Sequence, residues 1–224
     1  IGTLKIAKNI DEKKYKNFLK KINILASPKI ELDEVGTPIP FKWNKCKLET
    51  ISYGHGITTT PLQAATAYAS LINGGILVSP TLLKNKKNHQ QRKRIISEES
   101  SNKIRKILRK VVTDKKGTAS LADVYGFNVS GKTGTSQYYN DKSKNINTFI
   151  SFFSAVGKKY VLLVMYDDPK VANELIYNYR GSKIRGTRNE AGWNAVYSAG
   201  KIIEKIGPIL AINNYEILSQ NVVK

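Results

Sequence analysis

The residue types best suited to chemistry lie in one short polar stretch, Ser130-Gly131-Lys132-Thr133-Gly134-Thr135-Ser136. In an extended segment neighbouring side chains point to opposite faces, and Gly134 allows another backbone to approach closely. Lys132 would supply a cation for a carboxylate, which the hydroxyls of Thr133 and Thr135 could bond. The free amides of a sheet edge could pair with an extended peptide. Because chance matches to so short a pattern are common, these residues alone favour a solvated turn, with a peptide-binding edge strand as the alternative.

The same stretch also fits a second kind of site, a phosphate-binding loop. The run from Gly126 to Thr133 matches the loop pattern, and the apolar run 161–166 ends at Asp167, as a strand before a magnesium-binding aspartate would. A phosphate loop needs a helix that begins at its lysine. Here Gly134 follows Lys132 where that helix should continue. The sequence favours the strand, and a helix beginning at Lys132 would reverse that choice.

Composition and charge narrow the function classes only modestly. The chain of 224 residues carries 37 lysines and arginines against 17 acidic residues, which gives a net charge of +20. Because the lysines are spread through most segments, we interpret the charge first as a compositional bias. A basic surface still attracts anionic partners, and the attraction weakens with salt. A non-catalytic module that binds nucleic acid or an anionic surface therefore stays open as an alternative.

Cysteine and histidine usage argues against metal and disulfide chemistry. The single cysteine, Cys46, excludes an intramolecular disulfide and any multi-cysteine metal site. The two histidines, His55 and His89, lie far apart with no carboxylate pattern around them. No apolar run reaches the ~18 residues that span a bilayer, and no signal peptide is visible. We expect no metal site and no membrane span within these residues.

Two helices can be predicted together with their buried faces. Thr60 is a good N-cap, Pro61 suits the first helical position and Gln63 completes a capping box, so a helix should span residues 61–73. Its expected buried residues are Leu62, Ala65, Ala69 and Ile72. A second amphipathic helix is expected over residues 97–112. Its expected inward residues are Ile104, Ile107, Leu108 and Val111.

Three β-rich runs predict a sheet. They cover residues 127–136, 148–156 and 160–166. The connecting loops are too short for parallel crossovers, so the sheet should be antiparallel, with a hairpin at Gly157. We expect the segment from Lys132 to Thr135 on the sheet edge, paired on one side with residues 148–156. A final helix over residues 191–210 should cover one face, which makes the fold class mixed α/β.

Four further segments are predicted to lack helices. Prolines and glycine interrupt residues 27–48, which should form a long irregular connection. Residues 76–83 are apolar and expected to be extended. Residues 84–94 and 171–188 are expected to be basic loops.

Two separate stretches resemble one family, the class B penicillin-binding proteins, and most closely their division-type (septal) D,D-transpeptidases. The matching residues, in the family's order, are Ser52-x-Gly54-x-Gly56, Thr60-Pro61-Leu62-Gln63, Ala67-Tyr68-Ala69, Asn73-Gly74-Gly75, Gly117-Thr118-Ala119, Lys132-Thr133-Gly134-Thr135 and Asp167-x-Pro169. The similarity spans nearly the whole chain and strongly favours the Lys-Thr-Gly interpretation. It implies a serine-transpeptidase or β-lactamase-like fold, in which an antiparallel sheet is packed between helices.

The family's serine chemistry rests on three motifs, Ser-x-x-Lys, Ser-x-Asn and Lys-Thr-Gly, and only the third is identified here. Residues 1–7 resemble the helix that follows Ser-x-Asn. Residues 1–224 are therefore expected to form the C-terminal portion of a single transpeptidase domain, incomplete at its N-terminus. Ser100-Ser101-Asn102-Lys103 and Ser198-Ala199-Gly200-Lys201 also match motif patterns, but both follow the position that the family order requires. We expect the chain alone to lack the nucleophile and to be inactive.

The resemblance also implies roles for the matching residues. Lys132 would orient the carboxylate of substrate or β-lactam and aid proton transfer, and Thr133 would bond that carboxylate. The Thr135 amide would be one oxyanion donor, and Gly134 would leave room for the acyl chain. In the implied reaction a serine attacks the D-Ala-D-Ala peptide bond of a cell-wall stem peptide, releases the terminal D-alanine and passes the acyl group to a neighbouring amine. The resemblance implies no cofactor, metal or nucleic-acid partner, adds cell-division membrane proteins as partners, and suggests the periplasmic side of the inner membrane in the bacterial envelope.

Overall fold

The structure is a computed structural model that describes residues 2–36, 38, 39, 43, 47–84, 93–138 and 140–222. The chain forms two compact units, Ile1–Asn102 and Lys103–Lys224. The first unit contains the helices α1 (Gly2–Ala7), α2 (Glu12–Lys21), α3 (Lys47–Ile51) and α4 (Pro61–Ile72). Helix α5 (Glu98–Thr113) begins in the first unit and ends in the second. The second unit contains a 3₁₀ helix (Ser120–Ala122), the strands β1 (Ser130–Gln137), β2 (Asn145–Ala155), β3 (Lys158–Asp167), β4 (Ile176–Tyr179) and β5 (Ser182–Arg185), and helix α6 (Ala195–Val222).

Each unit buries apolar side chains of its own. The buried core of the first unit consists of Leu19, Ile22, Ile51 and Ala67. The larger core of the second unit consists of Val112, Ala119, Ala122, Val129, Phe149, Phe153, Ala195, Val196, Ala199 and Ile203. The second core joins β2 to α6. The sheet that carries the Lys-Thr-Gly segment is therefore packed on the larger of the two cores.

Helix α4 begins where the capping residues predict. The Thr60 hydroxyl accepts a hydrogen bond from the Gln63 N–H at 3.2 Å, and the Gln63 side-chain oxygen accepts one from the Thr60 N–H at 3.0 Å. This reciprocal capping box satisfies two amides that would otherwise lack partners at the helix start. Pro61 occupies the first helical position, where no amide hydrogen bond is lost. The predicted start is confirmed.

The buried face of α4 differs from the one expected. Its buried residues are Gln63, Ala67, Ser70 and Ile72. The three expected residues that are only partly buried are Leu62, Ala65 and Ala69. Gln63 can be buried because its amide nitrogen donates to the carbonyl of Asn23 at 3.0 Å, and the Ser70 hydroxyl accepts from the Val78 N–H at 2.8 Å. Apolar spacing misses such residues because hydrogen bonds offset the cost of burying a polar group.

Helix α5 also presents a different face from the predicted one. Ser101 and Val112 are buried, whereas Ile107 is 62% exposed, so its expected inward position is wrong. The Ser101 hydroxyl donates to the Leu71 carbonyl at 2.6 Å and accepts from the Gly74 N–H at 3.0 Å. These two hydrogen bonds turn the Ser101 side of the helix inward. The other expected residues, Ile104, Leu108 and Val111, are partly buried.

The three predicted strands form the predicted antiparallel sheet. Strand β1 pairs with β2 and β2 pairs with β3, in the order β1-β2-β3. Lys132 lies opposite Ile150, which confirms that the Lys-Thr-Gly segment is on an edge strand beside β2. Val156 and Gly157 turn the β2–β3 hairpin with φ angles of 43° and 76°. Positive φ at both positions matches the twist of a two-residue hairpin loop.

Helix α6 covers one face of this sheet, as predicted, although its bounds differ. Phe149 packs against the helix in the core. The helix begins at Ala195 rather than residue 191, and the Asn194 side chain accepts the Ala195 N–H at 2.6 Å. It continues beyond residue 210 to Val222. Asn214, 2% exposed, donates to the Ala155 carbonyl at 2.8 Å, which ties the later turns of the helix to the end of β2.

The expected basic loop over residues 171–188 is wrong in its central part, which forms the β4–β5 hairpin. Arg180 and Gly181 turn it with φ angles of 53° and 82°, the same solution as in the β2–β3 hairpin. Tyr177 is 2% exposed and packs edge-on against Trp193 and Tyr197, with ring centroids 5.4 and 5.0 Å apart. Aromatic packing of this kind holds the hairpin against Trp193 and the first turn of α6.

The remaining segments bear on other expectations. Residues 76–83 form no strand, although Ile76 makes an isolated β-bridge with Arg94. Residues 85–92 of the expected basic loop, together with Cys46 and His89, lie outside the described residues. Within the described part, no helix is both long and apolar enough to cross a membrane.

Candidate functional site

Strand β1 distributes the Lys-Thr-Gly residues between two faces of the sheet. Thr133 lies opposite Phe149 and Thr135 opposite Asn147, and both of these partners are completely buried on the side that α6 covers. Lys132, one residue from Thr133, is on the opposite face because side chains alternate along a strand. The motif therefore supplies hydroxyls to one face and a cation to the other.

The two glycines of β1 have different surroundings. A Cβ at Gly131 would lie 2.5 Å from the Ile150 carbonyl oxygen and 2.8 Å from the Phe149 ring, so packing inside the chain requires glycine there. A Cβ at Gly134 would have only the Thr148 carbonyl oxygen within reach, at 4.0 Å. Packing within this chain does not require glycine at 134, and the space above it is open to another group.

A cleft of about 430 Å³ opens beside β1 on the threonine face. Its walls are Thr133 and Thr135, the turn of residues 115–118, Tyr179 from the hairpin, and residues 188 and 190–193 before α6. Lys132 is not among its lining residues. It is exposed, and its Nζ donates to the Thr133 carbonyl at 2.9 Å. The cation that the sequence paired with these threonines thus lies outside the cleft that they line.

The threonine hydroxyls are held by neighbours in the cleft. The Thr133 and Thr118 hydroxyl oxygens are 2.9 Å apart and share one hydrogen bond. The Thr135 hydroxyl accepts the Ala191 N–H at 3.4 Å. Thr118 belongs to the Gly-Thr-Ala part of the family pattern, but the sequence alone gave no reason to join it to Thr133. This contact orients the Thr133 hydroxyl. Whichever of the two hydroxyls donates, the Thr133 oxygen keeps a free lone pair or its proton for a ligand in the cleft.

A chain of asparagines fixes the wall before α6. The buried Asn147 side chain donates to the Asn189 carbonyl at 2.6 Å, and the Asn194 side chain donates to the Asn189 side-chain oxygen at 3.2 Å. Asn189 in turn donates to the Pro169 carbonyl. Because Asn147 lies opposite Thr135, these bonds set the distance between β1 and the residues before α6. Sequence analysis missed them, since no spacing links residues that far apart.

The hairpin fixes the opposite wall. The Arg180 guanidinium donates to the carbonyls of Asp114 at 2.8 Å and Gly117 at 3.1 Å. It therefore holds the turn that presents Thr118. Three cations, Lys115, Lys116 and Arg188, line the cleft against one carboxylate, Glu190, so the cleft is basic.

The two serines that match motif patterns by chance are placed in structural roles. Ser100 lies in the first turn of α5, where its N–H donates to the Ser97 hydroxyl at 3.1 Å, as in a helix cap. The Ser198 hydroxyl is 2.8 Å from that of Tyr166. Lys201 bonds Glu204 at 2.7 Å, and this hydrogen bond raises the pKa of Lys201. The Lys201 amine is thus directed to Glu204 by a hydrogen bond.

The phosphate-loop alternative is wrong. Lys132 lies inside strand β1, and no helix begins there. A phosphate loop connects a strand directly to a helix, but the element that contains Lys132 is a strand and the next element is strand β2. The run that ends at Asp167 is β3, which pairs antiparallel with β2. Within the described residues, no three His, Cys, Asp or Glu side chains converge as metal ligands.

Comparison with known proteins assigns the chain to a family. The family model for the penicillin-binding protein transpeptidase domain matches residues 1–188. The probable peptidoglycan D,D-transpeptidase FtsI of Caulobacter vibrioides is 29% identical over 225 residues, which cover 95% of this chain and 36% of that protein. Stage V sporulation protein D of Bacillus subtilis is 30% identical over 187 residues, covering 75% of this chain and 29% of that protein. The chain thus spans about a third of the length of these relatives.

Solved structures agree on the fold. The transpeptidase domain of Burkholderia pseudomallei penicillin-binding protein 3 matches with a TM-score of 0.73 and 24% identity over 93% of this chain and 61% of that one. Penicillin-binding protein 3 of Mycobacterium tuberculosis, solved with ampicillin, matches with a TM-score of 0.71 and 23% identity over 92% of this chain and 48% of that one. The fold is therefore the penicillin-binding, β-lactamase-like one. With the family match over residues 1–188, the chain belongs to the penicillin-binding protein transpeptidase domain family.

Proposed function

We propose that the chain forms the Lys-Thr-Gly side of a peptidoglycan D,D-transpeptidase that cross-links cell-wall stem peptides through a serine acyl-enzyme. The observation that carries the proposal is the edge strand, which brings Lys132, Thr133, Gly134 and Thr135 to a sheet border beside an open cleft. Family membership and the printed names of the relatives support the same reaction class. In this proposal residues 1–224 are the C-terminal portion of one transpeptidase domain.

The edge of β1 offers the interactions that the acyl donor needs. An extended peptide can pair with the amides and carbonyls that β1 does not use with β2. The Thr135 amide would then donate to the oxyanion that forms when a serine attacks the penultimate D-alanine carbonyl. The hydroxyls of Thr133 and Thr135 would bond the terminal carboxylate, and the open space at Gly134 would admit the acyl chain.

In this proposal the attacking serine belongs to a segment that these 224 residues do not include. Attack expels the terminal D-alanine as its amine, which takes up a proton, and leaves an ester between the serine and the shortened peptide. A second amine then displaces the serine and closes the cross-link, so bonds and protons balance without an external reagent. Lys132 would assist these proton transfers.

Ligands, partners and location follow from the same proposal. A β-lactam would acylate the serine in place of the peptide, as suggested by the M. tuberculosis protein solved with ampicillin. We propose a role in septal synthesis with membrane proteins of cell division as partners, because the relative with 95% coverage is named FtsI. The site would work on the periplasmic side of the inner membrane, where stem peptides are cross-linked. No nucleic-acid partner is proposed.

The test is penicillin labelling of the polypeptide encoded by the full natural reading frame around this chain. We expect a fluorescent penicillin to label one serine upstream of Ile1 covalently, and Lys132→Ala to slow the labelling at least tenfold. Lys142→Ala is the matched control, since Lys142 is an exposed lysine in the β1–β2 loop. Absence of labelling in that polypeptide, or equal rates for the two variants, would contradict the proposal.

A further inference from the structure

The position of Lys132 raises the question of which cation meets a carboxylate in the cleft. Thr133 and Thr135 line the cleft and Lys132 does not, because strand alternation sends Lys132 to the other face of β1. The Nζ of Lys132 also donates to the Thr133 carbonyl. A carboxylate bonded by the two threonine hydroxyls in the cleft therefore needs its charge partner from another segment.

Arg188 is well suited to that role. It lines the cleft, and its guanidinium lies 5.7 Å from the centre of the Trp193 ring. A guanidinium presents several N–H groups in one plane and can bind both oxygens of a carboxylate, which an ammonium cannot do. Trp193 limits the directions that the Arg188 side chain can take, and the Tyr179 ring packs against the same indole with ring centroids 5.1 Å apart.

Arg188 already holds a carboxylate, that of Glu190, at 3.2 Å. Both side chains are more than half exposed, 59% and 53%, so this ion pair contributes little and can be exchanged at small cost. Glu190 lies in the same cleft and is the same kind of group as a peptide C-terminus. Its carboxylate thus occupies, within the chain, the interaction that a ligand carboxylate would take.

We propose that Arg188 is the residue that confers selectivity for a carboxylate in the cleft, exchanging Glu190 for the terminal carboxylate of a peptide bonded by Thr133 and Thr135. The inference rests on the proposed function for the identity of the peptide, a D-Ala-D-Ala terminus. It separates two tasks that sequence analysis gave to Lys132: Arg188 binds the carboxylate, and Lys132 is left for proton transfer. Glu190 acts as an internal competitor, so its removal strengthens binding.

Trp193 provides a direct readout of binding. The chain has two tryptophans, so a Trp43→Phe background leaves Trp193 as the fluorescent reporter in the cleft. The probe is N-acetyl-D-alanyl-D-alanine, and its C-terminal amide is the control ligand. The variants are Arg188→Gln, Glu190→Gln, Lys132→Gln and Arg185→Gln. Arg185 is the matched control because it lies three residues before Arg188, is exposed, and does not line the cleft.

The expected changes have opposite signs, which loss of folding cannot imitate. Because the pair is exposed, we expect Arg188→Gln to raise the dissociation constant for the acid about three- to fivefold, and Glu190→Gln to lower it about twofold. Neither should alter the weaker binding of the amide, and Arg185→Gln should change nothing. Three outcomes would overturn the inference. The Arg188, Glu190 and Arg185 variants could have equal dissociation constants for the acid, only Lys132→Gln could remove the preference for the acid over the amide, or no form of the chain could bind the acid. Penicillin labelling of the full polypeptide would still stand in those cases. Acid-selective binding with no labelling would instead contradict the transpeptidase proposal and leave Arg188 in its role.

Discussion

Adding one methyl group at each of the two glycines in β1 separates a structural requirement from a functional one. Gly131 and Gly134 lie three residues apart on the same edge strand, and neither has a positive φ angle. Their difference is what a Cβ would meet, backbone and ring atoms at Gly131 and open space at Gly134. We predict that Gly131→Ala destabilises the second unit and that Gly134→Ala leaves it folded but unable to bind peptide.

The size of each effect follows from the distances. At Gly131 the new Cβ would be 2.5 Å from the Ile150 oxygen and 2.8 Å from the ring of Phe149, which is itself completely buried. Neither neighbour can move without disturbing the β1–β2 pairing or the core, so the expected loss in unfolding free energy is about 1–3 kcal/mol. At Gly134 the nearest atom to the new Cβ is 4.0 Å away. Because alanine restricts the unfolded chain more than glycine does, Gly134→Ala should stabilise the second unit by about 0.4–1 kcal/mol.

Urea unfolding followed by Trp193 fluorescence in the Trp43→Phe background reports the stability of the second unit alone. We expect the midpoint of Gly131→Ala to fall and that of Gly134→Ala to stay or rise slightly. In the polypeptide from the full reading frame, Gly134→Ala should slow penicillin labelling about 10²-fold or more if it also shifts the oxyanion donor at Thr135. A Gly134→Ala variant that labels at the unsubstituted rate, or that unfolds as easily as Gly131→Ala, would refute this reasoning.

Four other predictions concern separate parts of the chain. Thr60→Ala should lower the unfolding free energy of the first unit by about 1 kcal/mol through loss of the capping box, measured by circular dichroism with Thr59→Ala as control; equal midpoints would contradict it. Asn147→Ala should destabilise the second unit by about 1–3 kcal/mol, because the Asn189 carbonyl loses the donor that the buried Asn147 side chain supplies; an unchanged urea midpoint would count against the asparagine chain. Burial raises the pKa of Tyr177, so the folded state favours its neutral form. The contribution of this neutral form to stability is complete below pH ~10 and is lost as the pH rises further. Tyr177→Phe should therefore flatten the fall in melting temperature at alkaline pH. The 224-residue chain alone should form no covalent adduct with fluorescent penicillin on denaturing gels, and stoichiometric labelling at Ser100 or Ser198 would show that a nucleophile was dismissed.

The parts of the fold that could be predicted are those that local chemistry determines. The capping box needs only Thr60, Pro61 and Gln63, which are adjacent in sequence, and the structure has both of its hydrogen bonds. The antiparallel sheet follows from three β-rich runs with connections too short for a crossover. In both cases the deciding residues lie within one turn or one hairpin of each other.

The parts that were missed depend on contacts between distant segments. Gln63 and Ser101 look like surface residues in sequence, but partners from other elements satisfy them and allow burial. The β4–β5 hairpin carries no alternating apolar pattern, and its single buried aromatic, Tyr177, finds Trp193 only after the chain has folded back. The Arg-Gly turn at 180 was the one local signal that could have indicated it.

The Lys-Thr-Gly segment shows why a motif predicts a site more reliably than it predicts the division of labour within it. Residue types alone put a cation and two hydroxyls beside one carboxylate. On a strand, alternation separates Lys132 from Thr133 and Thr135, so the three cannot share one face. The cleft then draws its cations from residues 115, 116 and 188, which no spacing connects to the motif. Lys132 lies on the face opposite the two threonines, where it is exposed and its amine donates to the Thr133 carbonyl. Under the proposed function, that position would suit proton transfer at the reacting bond, while Arg188 would pair with the terminal carboxylate of the peptide.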